Sequence, residues 1–174
     1  GKGWRRRWII TRSSAATECL VLTTSGTTGQ ARQVCYRQGA ILASCLGTMR
    51  RQLEKCVEYA RMRKQFGKPI GKFQSVANRI VDMKLRLETA RPLVYKIGWL
   101  KDQGKSAVAE AAMAKLYLSE SFVKSSLDAI QVFGGYGYMT ECELERDLRD
   151  AVGSQLYSGT SEIQRNIIAS MLGL

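Results

Sequence analysis

Residues 61–68 (RMRKQFGK) combine four cationic side chains with one aromatic residue and one glycine. The segment lies at the predicted end of a helix, where cations stabilise the negative end of the helix dipole. The guanidinium of an arginine such as Arg63 also binds pyrophosphates through two parallel hydrogen bonds. Composition alone leaves both interpretations open, a charged helix end and an anion-binding site.

Residues 129–138 (AIQVFGGYGY) place three glycines among aromatic side chains. Glycines after a helix usually terminate it, but glycines beside aromatic rings also let a flat ligand approach the backbone. No predicted strand precedes the segment and its spacing differs from G-x-G-x-x-G, so it is not a dinucleotide fingerprint. The segment therefore predicts either a helix end or a contact with a planar cofactor.

Residues 157–165 (YSGTSEIQR) follow an Arg-Asp-Ala triplet at 149–151 and open the last predicted helix. Backbone N–H groups and hydroxyls at a helix N-terminus can bind an anion. Ser161 and Gln164 also have the spacing of a capping box, in which the same groups only terminate the helix. Both interpretations stay open for this segment.

The composition excludes several classes of site. The 174 residues include no histidine, which excludes Ser-His and Cys-His nucleophile pairs and the commonest metal ligand. The five cysteines are odd in number and form no C-x-x-C pair, so we expect reduced thiols and no metal site. No apolar run approaches the roughly 20 residues of a membrane span.

The net charge of +12 comes in equal halves from two segments of very different length. Residues 1–37 hold seven basic residues and one acid, a net of +6, and residues 38–174 hold 20 basic and 14 acidic, again +6. Such a charge could attract nucleic acid or the phosphates of a cofactor. The charges after residue 38 are interspersed, as on solvated helix faces, and charge alone does not choose between these partners. A nucleic-acid partner would leave the glycine-containing segments unexplained, so we expect none.

The elements that position these segments are predicted to be helices. Apolar residues recur at helical spacing in three stretches after residue 38. Ser106 is a candidate cap for the third helix, and a short charged helix is expected over 141–150. Pro92 is expected either to kink the second helix or to leave a backbone carbonyl that neighbours must satisfy. The stripes are Leu42, Leu46, Met49, Leu53, Val57 and Ala60; then Val76, Ile80, Met83, Leu87, Ala90, Val94 and Ile97; then Val108, Ala112, Leu116, Ser119, Val123, Leu127 and Ile130.

With a terminal helix from Ser161, the pattern predicts an all-α fold, an up-down four-helix-type bundle over residues 38–174. Residues 1–37 form an unmatched basic segment without helical period, expected to be irregular. The apolar runs at 9–10 and 19–22 fit either short strands or loop, and an Arg-rich, acid-poor start also fits a transit peptide.

Taken together, R-x-Q-F-G-x-P-I, F-Q, D-A-I-Q-V-F-G-G, R-D-A and G-T-S-E-I-Q-R-N-I-I-A resemble the ordered signature of acyl-CoA dehydrogenases. The resemblance covers roughly residues 38–174, the C-terminal helical domain that binds FAD and builds the tetramer core in that family. It implies FAD contacts at Arg63, Gln65, Phe66, Phe73, Gln74, Gln131, Gly135, Thr160 and Glu162. Gln131 and Gly135 match positions that contact FAD from a neighbouring subunit, and Tyr157, Ser158 and Gly159 match positions beside the flavin ring and the thioester.

The resemblance fails at the catalytic base. The family's reaction needs an ionised carboxylate near the substrate α-carbon, and a serine hydroxyl does not supply one. Ser158 stands where many members carry that glutamate. Other members carry it on the first helix, at the position aligned with Arg37, beside an arginine aligned with Gln38. The catalytic residue is therefore unassigned.

The resemblance implies an FAD-dependent α,β-desaturation of an acyl-CoA or acyl-carrier-protein thioester by a C-terminal fragment or partial subunit. Electron-transfer flavoprotein or a similar acceptor, and a homotetramer or homodimer, are the implied partners. A cytoplasmic location is expected, with the mitochondrial matrix as the alternative. Two other functions stay open: a non-catalytic oligomerisation module, and a flavin monooxygenase or oxidase relative.

Overall fold

The computed structural model describes the backbone of residues 30–174 and the side chains of residues 41–174. The expectations for residues 9–10 and 19–22, and the side chains aligned at Arg37 and Gln38, lie outside these ranges. The predicted all-α fold is confirmed, since the only strands in the described part form one small hairpin. In chain order the elements are α1 (Gln30–Met62), β1 (Lys64–Gln65), β2 (Lys68–Pro69), a 3-10 turn (Ile70–Lys72), α2 (Gln74–Asp102), α3 (Val108–Phe133), α4 (Gly135–Tyr138), a second 3-10 turn (Thr140–Cys142), α5 (Leu144–Leu156) and α6 (Ser161–Met171).

Cross-helix contacts fix the helix directions. Gln52 donates to Ser126 over 2.8 Å and the rings of Tyr59 and Phe133 stack at 4.1 Å, so α1 and α3 run parallel. Helix α2 runs against both, because it pairs with α3 through Arg86–Asp128 at its first half and through Lys96–Glu110 at its second.

Helices α5 and α6 continue the up-down order. The buried carboxylate of Asp147 pairs with Arg51, and Lys115 donates to the Gln155 carbonyl, so α5 descends along α1 and α3. Helix α6 then turns back along α3, where Arg165 pairs with Glu120.

Two of the three predicted apolar stripes form the core. On α1 and α2 every member is buried except Val57, Val76 and Ile80, which are partly buried against the core. Helix α2 continues through Pro92, whose side chain is exposed. Removal of these side chains from water is the main source of stability for such a bundle.

The predicted stripe on α3 is partly wrong. Val108 and Leu127 are exposed, and the larger buried apolar side chains are Leu118, Phe122 and Val132. The reason is that α3 packs against α1, α2, α5 and α6, so it buries a wide arc that includes alanines and serines. A stripe defined by the largest apolar residues does not describe a helix surrounded in this way.

Three predicted boundaries are also corrected. Helix α1 begins at Gln30, so residues 30–37 are helical rather than irregular, and it ends at Met62 rather than near Phe66, because residues 64–69 form the hairpin. Ala107, not Ser106, occupies the N-cap position of α3, and no side chain accepts a hydrogen bond from the first N–H groups of this helix. The charged helix expected over 141–150 begins at Leu144 and extends to Leu156.

We expect Leu118→Ala to lower the free energy of unfolding by about 2–5 kcal/mol, because it leaves a cavity at a side chain that is 1% exposed. Leu127→Ala is the matched control on the same helix, at 51% exposure, and should change it by less than about 1 kcal/mol. Urea titration followed by circular dichroism measures both. Equal losses would contradict the assignment of the buried face of α3.

Candidate functional site

A tight hairpin projects from the end of α1. Lys64 pairs with Pro69 and Gln65 with Lys68, which leaves Phe66 and Gly67 as a two-residue turn with φ of 50° and 79°. Two-residue hairpins favour such positive φ values, but a bulky residue rarely adopts them. Phe66 is nevertheless held there with 92% of its surface exposed. An exposed aromatic ring in an unfavourable backbone conformation indicates a contact site.

The hairpin forms one wall of a groove of about 880 Å³. The stacked rings of Tyr59 and Phe133 lie in this groove, and the Phe66 ring meets Phe73 edge to face at 6.1 Å. Six predicted cofactor residues line it, and we call it the hairpin groove: Arg63, Gln65, Phe66, Phe73, Gln131 and Gly135. Gln74, the first residue of α2, is exposed and is not among the lining residues.

The polar side chains of the hairpin groove have no partners in the described part of the chain. Arg63, Gln65 and Gln131 are exposed there and form no side-chain hydrogen bond or ion pair with residues 41–174. By contrast, Arg79 and Arg86 both bind the Asp128 carboxylate, at 2.8 and 2.7 Å. The groove therefore holds an uncompensated cation and amide groups available to a ligand.

The glycines beside the groove differ in what the fold requires of them. Gly134 adopts φ 61° and ψ −136°, which only glycine tolerates well. A Cβ on Gly137 would lie 2.6 Å from the Ile130 carbonyl oxygen, so α4 can pack on α3 only with glycine there. A Cβ on Gly135 would meet nothing within 4 Å. Backbone conformation therefore explains Gly134 and packing explains Gly137, whereas neither explains Gly135, which faces the open groove.

The second predicted set of residues forms the turn between α5 and α6. Ser158 has φ 56° and Gly159 φ 91°, and a Cβ on Gly159 would lie 2.7 Å from the Gln164 Nε2 atom. The buried Gln164 amide donates to the carbonyls of Ser158 and Gly159, over 3.2 and 3.4 Å. The backbone of the turn is thus held in a conformation that serine rarely adopts.

The predicted capping box at Ser161 and Gln164 is wrong. Thr160 is the N-cap and its hydroxyl accepts from the Ile163 N–H, while the Gln164 side chain holds the turn instead. Thr160 and the N–H of Glu162 also bind the Glu162 carboxylate, and these hydrogen bonds lower its pKa. Polar groups therefore lie next to Ser158: the Thr160 hydroxyl, the Glu162 carboxylate and the first N–H groups of α6.

A small cavity lies behind this turn, lined by Cys45, Lys115, Tyr157 and Ser158 among others. Burial raises the pKa of the Cys45 thiol to about 11 and that of the Tyr157 hydroxyl to about 12. Lys115 is 3% exposed and donates to the Gln155 carbonyl over 3.2 Å, and burial lowers its pKa. No carboxylate is among the described residues that line the cavity.

The two sets lie at opposite ends of α3. Lys115 borders the cavity behind the turn and Gln131 borders the hairpin groove. Sixteen residues of helix separate them, which corresponds to about 24 Å at 1.5 Å per residue. The structure therefore brings Arg63 and Gln131 together in one chain but separates both from Tyr157, Ser158, Gly159 and Thr160.

Among the lining residues that were not assigned from the sequence are Tyr59 and Phe133 in the groove, and Cys45 and Lys115 in the cavity. A lysine among the alanines of the third apolar stretch was the available signal for Lys115, because lysine is seldom buried without a partner. Phe133 belongs to the glycine-aromatic segment 129–138, whereas Tyr59 and Cys45 had no sequence signal beyond helical spacing.

The described residues contain no group of three or more histidine, cysteine, aspartate or glutamate side chains that could hold a metal ion. Over the same part of the chain, no helix has both the length and the apolarity that crossing a membrane requires. The hairpin groove instead fits a planar, anionic ligand. Its aromatic rings and the open space at Gly135 can accept a flat ring system, and the unpaired Arg63 guanidinium can bind a phosphate.

Comparison with known proteins agrees with this chemistry. The family model "Acyl-CoA dehydrogenase, C-terminal domain" matches residues 26–173. That range starts inside residues 1–37, so the domain boundary at residue 38 stays a prediction. An L-prolyl-[peptidyl-carrier protein] dehydrogenase from a Serratia species is 50% identical over 139 residues, 80% of this chain and 36% of the relative.

Solved structures share the fold. The prolyl acyl carrier protein oxidase AnaB superposes with a TM-score of 0.80 at 55% identity, over 83% of this chain and 38% of that one. The FAD complex of PigA gives a TM-score of 0.80 at 49% identity, over 82% of this chain and 37% of that one. The chain thus spans 36–38% of the length of these three relatives.

We expect Gly137→Ala to destabilise the fold by about 1–3 kcal/mol, because its Cβ would overlap the Ile130 carbonyl. Gly135→Ala, two residues away in the same short helix, should change the free energy of unfolding by no more than about 0.5 kcal/mol. Thermal and urea unfolding of the two variants measure the difference. A large loss for Gly135→Ala would mean that packing, not the open groove, accounts for this glycine.

Proposed function

Because the chain belongs to the acyl-CoA dehydrogenase family, through its C-terminal helical domain, we propose that it is the C-terminal part of an FAD-dependent enzyme that desaturates an acyl thioester. The supporting observation is the hairpin groove, where six of the family's cofactor positions converge. A groove with aromatic walls, an unpaired arginine and an open glycine fits the adenine and pyrophosphate of FAD.

The residues have separate roles in this proposal. Arg63 neutralises the pyrophosphate, Gln65 and Gln131 donate to FAD, and Phe66 and Phe73 cover the adenine side. At the turn, Tyr157, Ser158 and Gly159 border the reacting carbons of the thioester, while Thr160 and Glu162 present hydrogen-bonding groups to the cofactor. Bound FAD would supply the acceptor for the hydride that leaves the β-carbon.

A second copy of the chain is part of the proposal. One chain holds its two sets of cofactor residues about 24 Å apart along α3, and the groove of one copy can be combined with the turn of another. The site is then shared between subunits, which makes a homodimer or homotetramer the functional unit.

The cavity behind the turn offers no ionised base at neutral pH. Burial keeps the Cys45 thiol and the Tyr157 hydroxyl protonated, with pKa values of about 11 and 12. The α-proton acceptor therefore comes from another part of the assembled enzyme, or Ser158 marks a specialised member of the family.

The substrate and the electron acceptor follow from the relatives. Two of them are named for prolyl groups on carrier proteins, which favours a carrier-bound thioester over acyl-CoA. Electron-transfer flavoprotein is the proposed acceptor, and the cytoplasm the proposed location. The oxidase name of one relative favours dioxygen as the alternative acceptor, and the rate at which reduced flavin reacts with oxygen separates the two.

A non-catalytic oligomerisation module is the competing function. It is favoured by the absence of a carboxylate at Ser158. It predicts a helical oligomer that stays colourless when FAD is added, whereas the enzyme proposal predicts a bound-flavin absorption spectrum.

We expect Arg63→Ala to raise the dissociation constant for FAD about tenfold or more, because it removes a charge-assisted contact to the pyrophosphate. Arg61→Ala is the matched control, since Arg61 lies two residues away but faces the opposite groove between α1 and α2. Equilibrium dialysis of the purified chain with FAD measures both. Equal affinities for the two variants would remove the pyrophosphate assignment.

We expect Ser158→Glu to increase the rate of thioester desaturation by roughly 10²–10⁴-fold in a polypeptide that also carries the remaining domains. A carboxylate at this position would lie beside Lys115, and the nearby cation would keep it ionised. Ser158→Gln, with the same shape but no basic group, is the control. If the glutamate variant is no faster than the glutamine variant, Ser158 does not occupy the base position.

A further inference from the structure

A lysine is buried directly behind the α5–α6 turn. Lys115 of α3 is 3% exposed, and it lines the small cavity together with Tyr157 and Ser158. Its ammonium group donates to the Gln155 carbonyl, in the last turn of α5, over 3.2 Å. Lysine is seldom buried without a partner of opposite charge, because taking an ammonium group out of water is costly. The position of this cation therefore requires a reason beyond packing.

No carboxylate in the described part of the chain neutralises this cation by direct contact. Lys115 forms no ion pair with those residues, and the cavity has no acidic lining residue. The Glu162 carboxylate acts on Lys115 only through its charge, since its hydrogen bonds are with Thr160 and its own N–H. A neutral donor would satisfy the Gln155 carbonyl as well as an ammonium group does. The hydrogen bond therefore does not explain the charge.

We propose that Lys115 is a positioning residue for the desaturation: its buried ammonium group stabilises negative charge that develops beside residue 158, on the carbonyl oxygen of the thioester. The inference rests on the proposed function, in which Tyr157, Ser158 and Gly159 border the thioester. When the α-proton leaves, the electron pair of the C–H bond is shared with the carbonyl oxygen, which becomes more negative. A fixed cation in a buried place stabilises such charge without the reorganisation that water would need.

The serine at residue 158 leaves this positive charge available. A glutamate there, as the family resemblance implies for many members, would lie beside Lys115 and neutralise it. Ser158 carries no charge, so the cation behind the turn keeps its full effect on a ligand in front of it. The buried lysine and the missing carboxylate then have one joint consequence, because both make the turn favour an anion.

Side chains from three helices hold the turn against the cation. Gln164 of α6 donates to the Ser158 carbonyl over 3.2 Å, and the Tyr157 hydroxyl donates to the Cys45 thiol of α1. Lys115 of α3 binds the end of α5 through the Gln155 carbonyl. A cation that is fixed in distance and direction acts on a developing charge more strongly than one on a mobile side chain.

The other charged or titratable groups around the turn are few. Burial keeps the Cys45 thiol and the Tyr157 hydroxyl protonated at neutral pH, with pKa values of about 11 and 12. Asp150 of α5 acts on Tyr157 through its charge, and hydrogen bonds lower the pKa of the Glu162 carboxyl. A group that titrates near neutral pH at residue 158 therefore reports the charge of Lys115 against a constant background.

The first test uses an introduced thiol as this reporter. Ser158→Cys adds a titratable group of similar shape at an exposed position. The rate of iodoacetamide alkylation is measured against pH with the chain kept reduced, and mass spectrometry follows the label at residue 158, which gives the thiol pKa. We expect this pKa to be at least about half a unit lower in the presence of Lys115 than after Lys115→Gln or Lys115→Met.

Lys124→Gln is the matched control. Lys124 is exposed and lies on the same helix, about two and a half turns away and so on its opposite face. It removes the same charge from the chain, and it should change the thiol pKa at residue 158 by no more than about 0.2 unit. Far-UV circular dichroism checks the folding of every variant. Equal thiol pKa values with Lys115, glutamine or methionine at this position overturn the proposal.

A comparison within one chain covers the case in which the neutral variants do not fold. The thiol pKa of the native Ser158→Cys chain is then compared with that of the same chain unfolded in urea. A native value that is not lower overturns the proposal, because a cation behind the turn stabilises the thiolate only in the folded state.

The second test measures catalysis in a polypeptide that also carries the remaining domains. Lys115→Gln should lower kcat about tenfold or more and leave KM within about threefold, because the charge on the carbonyl oxygen develops only in the transition state. Lys124→Gln should change neither. A loss confined to KM overturns the proposal. A parent polypeptide that desaturates no thioester contradicts the proposed function, and the thiol titration then still decides the electrostatic effect of Lys115.

Discussion

The burial of α3 among four other helices is the constraint on which the rest of the structure depends. Leu118 and Phe122 pack at its centre, the parallel contact with α1 fixes its direction, and α5 and α6 close its remaining sides. Each end of α3 then borders one half of the candidate site. Because a 26-residue helix is rigid, the separation of the two halves is a property of the core, not of the loops that carry the functional residues.

The α5–α6 turn shows how the core sets the chemistry at Ser158. Lys115 reaches from α3 to the last turn of α5, and Gln164 of α6 holds the carbonyls of Ser158 and Gly159. The lysine cation lies near the negative end of the α5 dipole, and Glu162 lies at the positive end of α6, where each charge is favourable. Both helix ends that flank the turn are therefore stabilised by a charge of opposite sign. The side chain at residue 158, between them, is nevertheless a hydroxyl and not a carboxylate.

Helix α2 connects the core with the hairpin groove. Its inner face is a regular apolar stripe that packs on α1 and α3. The residue before its first turn, Phe73, lines the groove, and its second half pairs with the start of α3 through Lys96 and Glu110. The position of the groove relative to α3 is therefore fixed by the packing of α2.

The sequence by itself determined the helical class, the stripes of α1 and α2, and six of the residues that line the hairpin groove, because these depend on local spacing and on an ordered set of motifs. The tertiary structure alone decided which face of α3 is buried, that Thr160 and not Ser161 caps α6, and that Arg63 lies beside Gln131 but far from Ser158. Each of these depends on what packs around a helix rather than on the residues within it. The spacing of apolar residues shows which face of a helix can be buried. It does not show how many other helices surround that helix, or at which end of the bundle two distant segments meet.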